Sequence, residues 1–192
     1  VIIDFRHPSA RLAHLRSIQD QKTPIVIGTT GFNDAELAEL KTLLAGRPAV
    51  FAPNMSVGVN VVMKLLETAT RVLHENYDIE IVEAHHHHKK DAPSGTALGL
   101  AEVIAKSMGK NLNDIARYER HGQIGERKKG ELGIQTLRYG SEVGTHTVFF
   151  GGVGETIEIT HRATSRDTFA AGAVHAAKWL VGRSAGLYNM RD

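Results

Sequence analysis

The first 52 residues alternate short apolar runs with helical patterns, and this alternation constrains the fold more than any other feature of the chain. The apolar runs are VIIDF, PIVIG and AVFA, which cover residues 1–5, 24–28 and 49–52. Uninterrupted apolar runs of this length are typical of strands buried on both faces of a parallel sheet. Pro8 begins the first intervening helical pattern, and Asn33 is placed to cap the second. The order strand, helix, strand, helix, strand predicts a parallel sheet with crossover helices.

The rest of the chain predicts a second sheet. Helical patterns cover residues 57–76 and 168–183, and a charged, glycine-rich surface loop is expected at residues 121–133. Further strands are predicted at residues 77–83, 134–139, 145–150 and 155–161. Glycine-rich links join the later strands, which favours antiparallel or mixed pairing. The expected product is an open sheet with helices on one face.

Composition and charge exclude several classes of protein. The 192 residues are 42% hydrophobic and 23% charged, as in an ordinary globular protein. The chain has no cysteine, which excludes disulfide frameworks, thiol catalysis and cysteine-ligated zinc. A formal net charge of +2 gives no support for nucleic-acid binding, and no apolar run reaches the roughly 18 residues that cross a membrane. We expect a cytoplasmic protein with neither a nucleic-acid nor a membrane partner.

Small and polar residues follow the predicted parallel strands. The segment GTTG (28–31) follows the second strand, and APNM (52–55) follows the third. Ligands of open parallel sheets bind beyond the carboxyl ends of the strands, where glycine and small hydroxyl residues allow close approach. Ordinary turns favour the same residues, so the spacing alone leaves both interpretations open.

The stretch EAHHHHKKDAPSGTA, from Glu83 to Ala97, carries the densest chemistry in the chain. It leaves a predicted strand, places four histidines and two lysines together, and turns through Pro93 into a helix. Ser94-Gly95-Thr96 is expected to form the first turn of that helix, whose free N–H groups and positive dipole end favour an anion. The cationic side chains would face the same anion, which predicts a carboxylate or phosphate ligand. A histidine here could also exchange a proton near neutral pH.

Three other interpretations of the histidine run stay open at this point. An affinity tag is disfavoured because the run is internal and flanked by structured sequence. Histidine clusters also bind zinc or nickel, but adjacent histidines on an extended chain point to opposite faces and cannot converge without a turn. No carboxylate–histidine pair at helical spacing supports them, so we expect no physiological metal. The third interpretation is a merely solvated basic surface.

The same stretch resembles the signature of the dihydrodipicolinate reductase family. The family pattern is Glu, a small or apolar residue, His-His, two variable residues, Lys, one variable residue and then Asp-Ala-Pro-Ser-Gly-Thr-Ala. This chain fits every fixed position. Similar motifs follow in order along the chain: VIGTTGF (26–32), FAPNMSVGVN (51–60), IGER (124–127), EITHRATSR (158–166), TFAAGAV (168–174) and GLYNMRD (186–192). So many ordered motifs over nearly the whole chain make the resemblance highly specific.

The resemblance implies an α/β architecture, with a partial Rossmann-type parallel sheet plus an α+β substrate and tetramerisation domain that has an open mixed sheet. Residues 1–56 would be the remaining part of a dinucleotide-binding domain. Residues 57–165 would form the substrate-binding and oligomerisation domain. Residues 166–192 would be a C-terminal helix that returns to the first domain. The implied assembly is a homotetramer.

The resemblance also implies NAD(P)H-dependent reduction of a small cyclic dicarboxylate, 4-hydroxy-tetrahydrodipicolinate, in lysine and diaminopimelate biosynthesis. The cofactor would be NADPH or NADH. His85 would donate the proton with Lys89 as its catalytic partner, and the substrate carboxylates would be bound by His86, Gly95 and Thr96. The residues lining the nicotinamide would be Gly28, Thr29, Thr30, Ala52, Pro53, Asn54 and Met55. His87 and Lys90 occupy variable positions and receive no role.

Two departures from the family pattern have consequences. The family begins with a strand and a G-x-G-x-x-G turn that binds the cofactor pyrophosphate, and the glycine-rich segment 151–154 of this chain lies between late strands instead. We therefore expect a fragment that lacks about 70 N-terminal residues, or two units of ~30 residues, with residues 1–5 on an exposed sheet edge. The alternative function is a non-catalytic dicarboxylate-binding and oligomerising module. Arg6 stands where the family usually has Ser or Thr, so residues 5–7 receive no role.

Overall fold

The computed structural model describes all residues from 1 to 192, which form two compact units. The first unit comprises residues 1–60 and 167–192, and the second comprises residues 61–166. In chain order the elements are β1 (Ile2–Asp4), α1 (Pro8–Ser17), β2 (Ile25–Ile27), α2 (Asp34–Leu44), β3 (Pro48–Phe51), α3 (Val57–Leu73), β4 (Asp78–His85), α4 (Gly95–Ser107), α5 (Leu112–Ile115), β5 (Ala116–Arg117), β6 (Leu132–Arg138), β7 (Gly144–Gly151), β8 (Thr156–Ala163), α6 (Asp167–Leu180) and β9 (Gly186–Tyr188).

The first unit contains the predicted parallel sheet. Its strand order is β1-β2-β3-β9, and every neighbouring pair is parallel. The central strand β2 is buried along its whole length. Helices α1 and α2 contribute leucines to an apolar cluster on one side of the sheet, and α6 contributes alanines and Leu180 to a second cluster. The strand β9 was not predicted, because three residues that include a glycine carry no periodic signal.

Local chemistry explains the helix boundaries of the first unit. Asn33 caps α2 as predicted, because its side chain accepts a hydrogen bond from the Glu36 amide while the Glu36 carboxylate accepts one from the Asn33 amide. Pro8 opens α1 at a position where no amide donor is needed. Helix α6 packs so closely on the chain beyond β3 that a Cβ at Gly172 would lie 1.8 Å from the Met55 carbonyl oxygen.

Of the two expectations for residues 1–5, the position at a sheet edge is observed, and burial on both faces is wrong. The apolar run at residues 1–5 predicts burial on both faces, but β1 pairs with β2 alone and is an edge strand. Ile3 and Phe5 are consequently 40% and 52% exposed. The cause is the position of the strand in the sheet rather than its sequence, because an edge strand has a neighbour on one side only.

The second unit contains the predicted mixed sheet, in the order β5-β6-β4-β7-β8. β4 is parallel to β6 and antiparallel to β7, and β7 is antiparallel to β8. On one face, two cross-strand rows are apolar and buried along the three central strands: Leu132, Ile79 and Phe150 form the first, and Ile134, Ile81 and Val148 form the second. Helix α4 contacts β4 and β6.

Several boundaries in the second unit differ from those predicted, three of them near the polar end of β4 or at the ends of long elements. Helix α3 ends at Leu73, three residues early, because residues 74–76 form a turn. β4 continues to His85, two residues beyond its predicted end, and β6 begins at Leu132, inside the predicted loop. The rest of that loop is fastened to the sheet, since Arg120 and Arg127 both donate hydrogen bonds to Glu80.

Candidate functional site

Beyond its two apolar rows, the mixed sheet carries polar residues at the carboxyl end of β4. The third row joins Thr136 of β6, Glu83 of β4, His146 of β7 and His161 of β8. The side-chain alternation puts these residues on the same face as Ile79 and Ile81. His85 lies one step further along that face, beside Arg138 of β6. The end of β4 is therefore where the buried face of the sheet changes from apolar to ionisable.

Glu83 is the centre of this polar group, and its side chain is fully buried. Its Oε2 atom lies 2.6 Å from His85 Nδ1 and accepts a 2.8 Å hydrogen bond from Arg138 Nη1. Its Oε1 atom accepts hydrogen bonds from Arg138 Nη2 at 2.8 Å, the Ser94 amide at 3.0 Å and the Thr136 hydroxyl at 3.2 Å. A single carboxylate thus connects the end of β4 with β6 and with the start of α4.

The balance of these interactions keeps Glu83 ionised. Burial by itself raises the pKa of this carboxyl, but the Arg138 guanidinium, the His85 ring and the Ser94 amide more than offset it and hold the pKa below its ordinary value. A carboxylate that is buried but paired on both oxygens in this way avoids the cost of an isolated buried charge.

His146 lies beside this carboxylate and is almost fully buried. Its Nε2 atom is 2.9 Å from the Ser94 hydroxyl, and its ring packs edge-on against that of His85 with centroids 5.1 Å apart. Burial first, and then the charge of His85, lowers the pKa of His146 to about 4. The ring is therefore neutral at physiological pH.

Gly144 makes room for the His85 ring. It begins β7, and a Cβ built at this position would lie 3.0 Å from His85 Nε2. That distance is shorter than an ordinary contact between a carbon and a ring atom, so even an alanine would press on the imidazole. The His85 side chain is 11% exposed, which leaves the ring accessible from one direction only.

The four-histidine run continues from β4 into a turn that is followed by two positively charged residues, Lys89 and Lys90. Lys89 Nζ lies 2.7 Å from Asp91 Oδ1, and its side chain is 20% exposed. The pKa of His86 is lowered by partial burial and then by the positive charges of Arg166, His88, His85 and Lys89. Positive charge from the turn itself and from Arg166 therefore disfavours a proton on His86.

His87 and His88 are exposed and face each other, with ring centroids 3.8 Å apart. The structure contains no group of three or more histidine, aspartate or glutamate side chains arranged to hold a metal ion.

The first turn of α4 lies next to this charge cluster in the chain. Ser94 caps the helix, since its hydroxyl accepts a hydrogen bond from the Ala97 amide, so the helix begins at Gly95, one residue later than predicted. Gly95 is exposed, and a Cβ there would meet nothing within 4 Å. The space above the glycine is open, and the helix presents its positive dipole end there. Thr96 is half-buried in the same turn.

The predicted cofactor residues lie in the first unit. Gly28 follows β2 and donates a backbone hydrogen bond to Asp4, and a Cβ there would overlap the Phe5 ring at 2.1 Å. Thr29 is buried and its hydroxyl donates to the Arg6 carbonyl, whereas Thr30 is exposed. The small residue at Gly28 is required by packing on Phe5.

The second predicted cofactor segment follows the neighbouring strand. Ala52 donates a hydrogen bond from its amide to the Ile27 carbonyl, so the two segments lie side by side at the end of the sheet. Met55 is buried against α6, and Asn54 accepts a hydrogen bond from the Ser56 amide. Pro53 is exposed.

Sequence reasoning assigned no role to several residues that organise the site: Glu83, Arg138, Gly144 and His146. A signal for one of them was present, because Glu83 continues the Ile79–Ile81 alternation and thus puts a carboxylate on the apolar face. The other residues come from distant segments, and only strand pairing brings them to β4.

No helix of the structure combines the length and the apolar character needed to span a membrane.

Comparisons with known proteins agree along the whole chain. The profile described as the N-terminus of dihydrodipicolinate reductase matches residues 1–55, and the C-terminal profile of the same family matches residues 58–192. The chain is 53% identical to a 4-hydroxy-tetrahydrodipicolinate reductase of Syntrophus aciditrophicus, covering 100% of this chain and 72% of that protein. It is 56% identical to the enzyme of that name from Desulfotalea psychrophila, covering 100% of this chain and 71% of the relative.

A solved structure shows the same fold. The dipicolinate-bound dihydrodipicolinate reductase of Paenisporosarcina sp. TG-14 superposes with a TM-score of 0.76 at 26% identity, covering 97% of this chain and 70% of that one. The α/β architecture, with its parallel and mixed sheets, is confirmed by this match. On these sequence and structural matches, the chain belongs to the dihydrodipicolinate reductase family.

Proposed function

We propose that this chain reduces 4-hydroxy-tetrahydrodipicolinate to tetrahydrodipicolinate, in the biosynthesis of lysine and diaminopimelate. The family is one of oxidoreductases that use a nicotinamide cofactor, and relatives more than half identical carry the reductase name. The observation that carries the proposal for this chain is the buried Glu83 carboxylate, which contacts both the His85 ring and the Ser94 amide and so joins the histidine run to the start of α4.

The substrate carboxylates suit this group of residues. Free amides at the start of α4 can donate hydrogen bonds to one carboxylate, and the open space above Gly95 allows it to approach the backbone. His86, Thr96 and Lys89 supply further donors, and Arg166 adds positive charge beside His86. Holding both carboxylates would fix the orientation of the ring before reaction.

His85 suits the role of proton donor. Its Nδ1 atom is engaged by Glu83, so the doubly protonated ring would give its Nε2 proton to the substrate and return to the neutral form with hydrogen on Nδ1. Reduction of the conjugated ring builds negative charge that an acid must neutralise, and His85 lies among other positive groups that stabilise such charge. Lys89 is the proposed catalytic partner, and it would exchange its ion pair with Asp91 for one with the substrate.

The adjacent loops 28–30 and 52–55 are the proposed nicotinamide site. They lie side by side at the carboxyl end of a parallel sheet, the usual ligand position of such folds. Their exposed groups are Thr30 and Pro53, and Gly31 has no atom within 4 Å of the Cβ position, so a flat ring could approach the backbone. A bound NADH or NADPH would supply the hydride.

We propose that the protein assembles as a homotetramer in the cytoplasm. In the second unit, the face of the mixed sheet opposite the polar row carries Val82, Leu137 and Phe149, of which Leu137 is 48% exposed. Polar residues, among them Gln135, Thr147 and Glu158, share this face, and a face of mixed polarity is a suitable contact for a second copy of the chain.

The first experiment measures oxidation of NADH and of NADPH by the chain with freshly prepared 4-hydroxy-tetrahydrodipicolinate. Dipicolinate binding is measured in parallel by calorimetry, with circular dichroism to show that the chain is folded. Turnover together with dipicolinate binding is the expected result. A folded chain that binds dipicolinate without turnover would act as the dicarboxylate-binding module instead, and one that does neither would refute the proposed site.

A further inference from the structure

We infer that Glu83 is a positioning residue, which determines that the neutral His85 ring carries its proton on Nδ1 and presents an unprotonated Nε2. The inference rests on the proposed role of His85 in the reduction. The Glu83 side chain is fully buried, so it acts through the ring that it holds.

The hydrogen-bond inventory around Glu83 leads to this assignment. Its two oxygens face five donor positions, of which the two Arg138 N–H groups, the Ser94 amide and the Thr136 hydroxyl can all donate. An ionised carboxylate can only accept, so the fifth partner, His85 Nδ1 at 2.6 Å, must carry the hydrogen. In the neutral ring the other nitrogen, Nε2, is then unprotonated.

The surroundings hold the ring in this orientation. The carboxylate is fully buried and fixed on both oxygens, and the His85 ring is bounded on its other sides by the His146 ring and by Gly144. His146 in turn reaches Ser94, whose amide donates to the same carboxylate. Glu83 therefore fixes the position of the His85 ring relative to the first turn of α4, the proposed carboxylate site.

The substitution Glu83→Gln would move the proton of the neutral His85 ring from Nδ1 to Nε2. In one orientation the amide oxygen replaces Oε1 and accepts hydrogen bonds from Ser94, Thr136 and Arg138. The amide NH₂ then faces His85 Nδ1, and only one N–H group of Arg138 points donor-to-donor against it. The opposite orientation would set the NH₂ against two obligate donors, the Ser94 amide and the other Arg138 N–H. The first orientation is preferred, and it requires Nδ1 to accept, which moves the ring proton to Nε2.

The test uses the 192-residue chain labelled with ¹⁵N-histidine, without ligand, at pH 8. Long-range ¹H–¹⁵N correlation spectra report which nitrogen of each neutral ring is protonated, and a His85→Asn variant assigns the His85 signals. We expect Nδ1–H in the unaltered chain, Nε2–H in most molecules of Glu83→Gln, and Nδ1–H again in Glu83→Asp, whose oxygens can only accept. Nε2–H in the unaltered chain overturns the inference without any variant.

Glu80→Gln is the matched control. Glu80 lies on the same strand, its side chain is 26% exposed, and it also accepts from two arginines, but it does not contact His85. We expect the His85 proton to stay on Nδ1 in this variant. Movement in both variants would indicate a general disturbance of β4 and overturn the specific role. These spectra need no substrate, so the position of the His85 proton is measured independently of dipicolinate binding. Failure of dipicolinate binding would refute the proposed function and would not change the result of the spectra.

Discussion

The two compact units hold their proposed ligand-binding residues in opposite ways. In the first unit, the side chains of Thr29 and Met55 are buried, so the two proposed cofactor loops have only backbone and small exposed groups available to a ligand. In the second unit, charged side chains are organised around the buried carboxylate of Glu83. The proposed site of the first unit depends on close packing, and that of the second unit depends on paired charges. We therefore expect different substitutions to destabilise the two units.

Removal of the central carboxylate is expected to have the largest effect. Glu83→Ala leaves the Arg138 guanidinium and the Ser94 amide without their partner in a buried place, which should lower the free energy of unfolding by about 3–5 kcal/mol. Glu80→Ala, at a half-exposed position of the same strand, should cost about 1 kcal/mol. Urea unfolding followed by circular dichroism measures both, and equal losses would show that burial of the network is not what stabilises the second unit.

A packing substitution should be the equivalent test in the first unit. Gly172→Ala would place a Cβ 1.8 Å from the Met55 carbonyl oxygen, and because that atom is backbone the helix must move, at about 3 kcal/mol. Gly99→Ala in α4 is the control, since its Cβ would meet only the flexible end of Met63 at 3.2 Å, and the gain in helix propensity of about 1 kcal/mol offsets the contact. Thermal unfolding compares them. A Gly172→Ala protein as stable as the parent would contradict the close packing of α6.

The buried histidine makes the stability of the second unit dependent on pH. The pKa of His146 is about 4 in the folded protein and near 6.5 when unfolded, so the unfolded chain binds more protons between these values and stability falls as the pH drops. From pH 7 to pH 5 the loss attributable to this ring is about 2 kcal/mol.

Urea unfolding at pH 7 and pH 5 measures this loss, and His146→Gln should reduce it by that amount. Identical pH dependence in parent and variant would mean that the pKa of the ring is the same in the folded and unfolded states.

The smallest expected effect concerns the proposed substrate contact. Lys89→Ala removes one charge-assisted donor at a partly exposed position, and dipicolinate affinity should fall about tenfold. Lys90→Ala removes the same charge from the adjacent, exposed position and should change the affinity less than about twofold. Calorimetric titration of both variants distinguishes a specific ligand from general electrostatic attraction, and equal losses would assign the binding to the latter.

Sequence patterns predicted the elements better than the network that joins them. The buried run PIVIG and the cap at Asn33 are local signals, so β2 and the start of α2 followed directly from them. The roles of His85 and Lys89 came from the family resemblance and stay predictions. The contacts of Glu83 with Thr136 and Arg138 could not be predicted, because no local periodicity tells which distant strand will pair with β4.

The partners of Glu83 have a consequence for how this protein acquires its chemistry. They lie 2, 11, 53 and 55 residues away along the chain: the first is on β4 itself, the second caps α4, and the last two are on β6. The nearest pair can meet early in folding, but the arginine arrives only once β6 has closed against β4, which is a slow, long-range event. In a nascent or partly folded chain, the histidine run therefore lacks the paired Glu83 and Arg138 side chains that surround His85 in the folded protein. Completion of the mixed sheet would therefore also complete the proposed catalytic group.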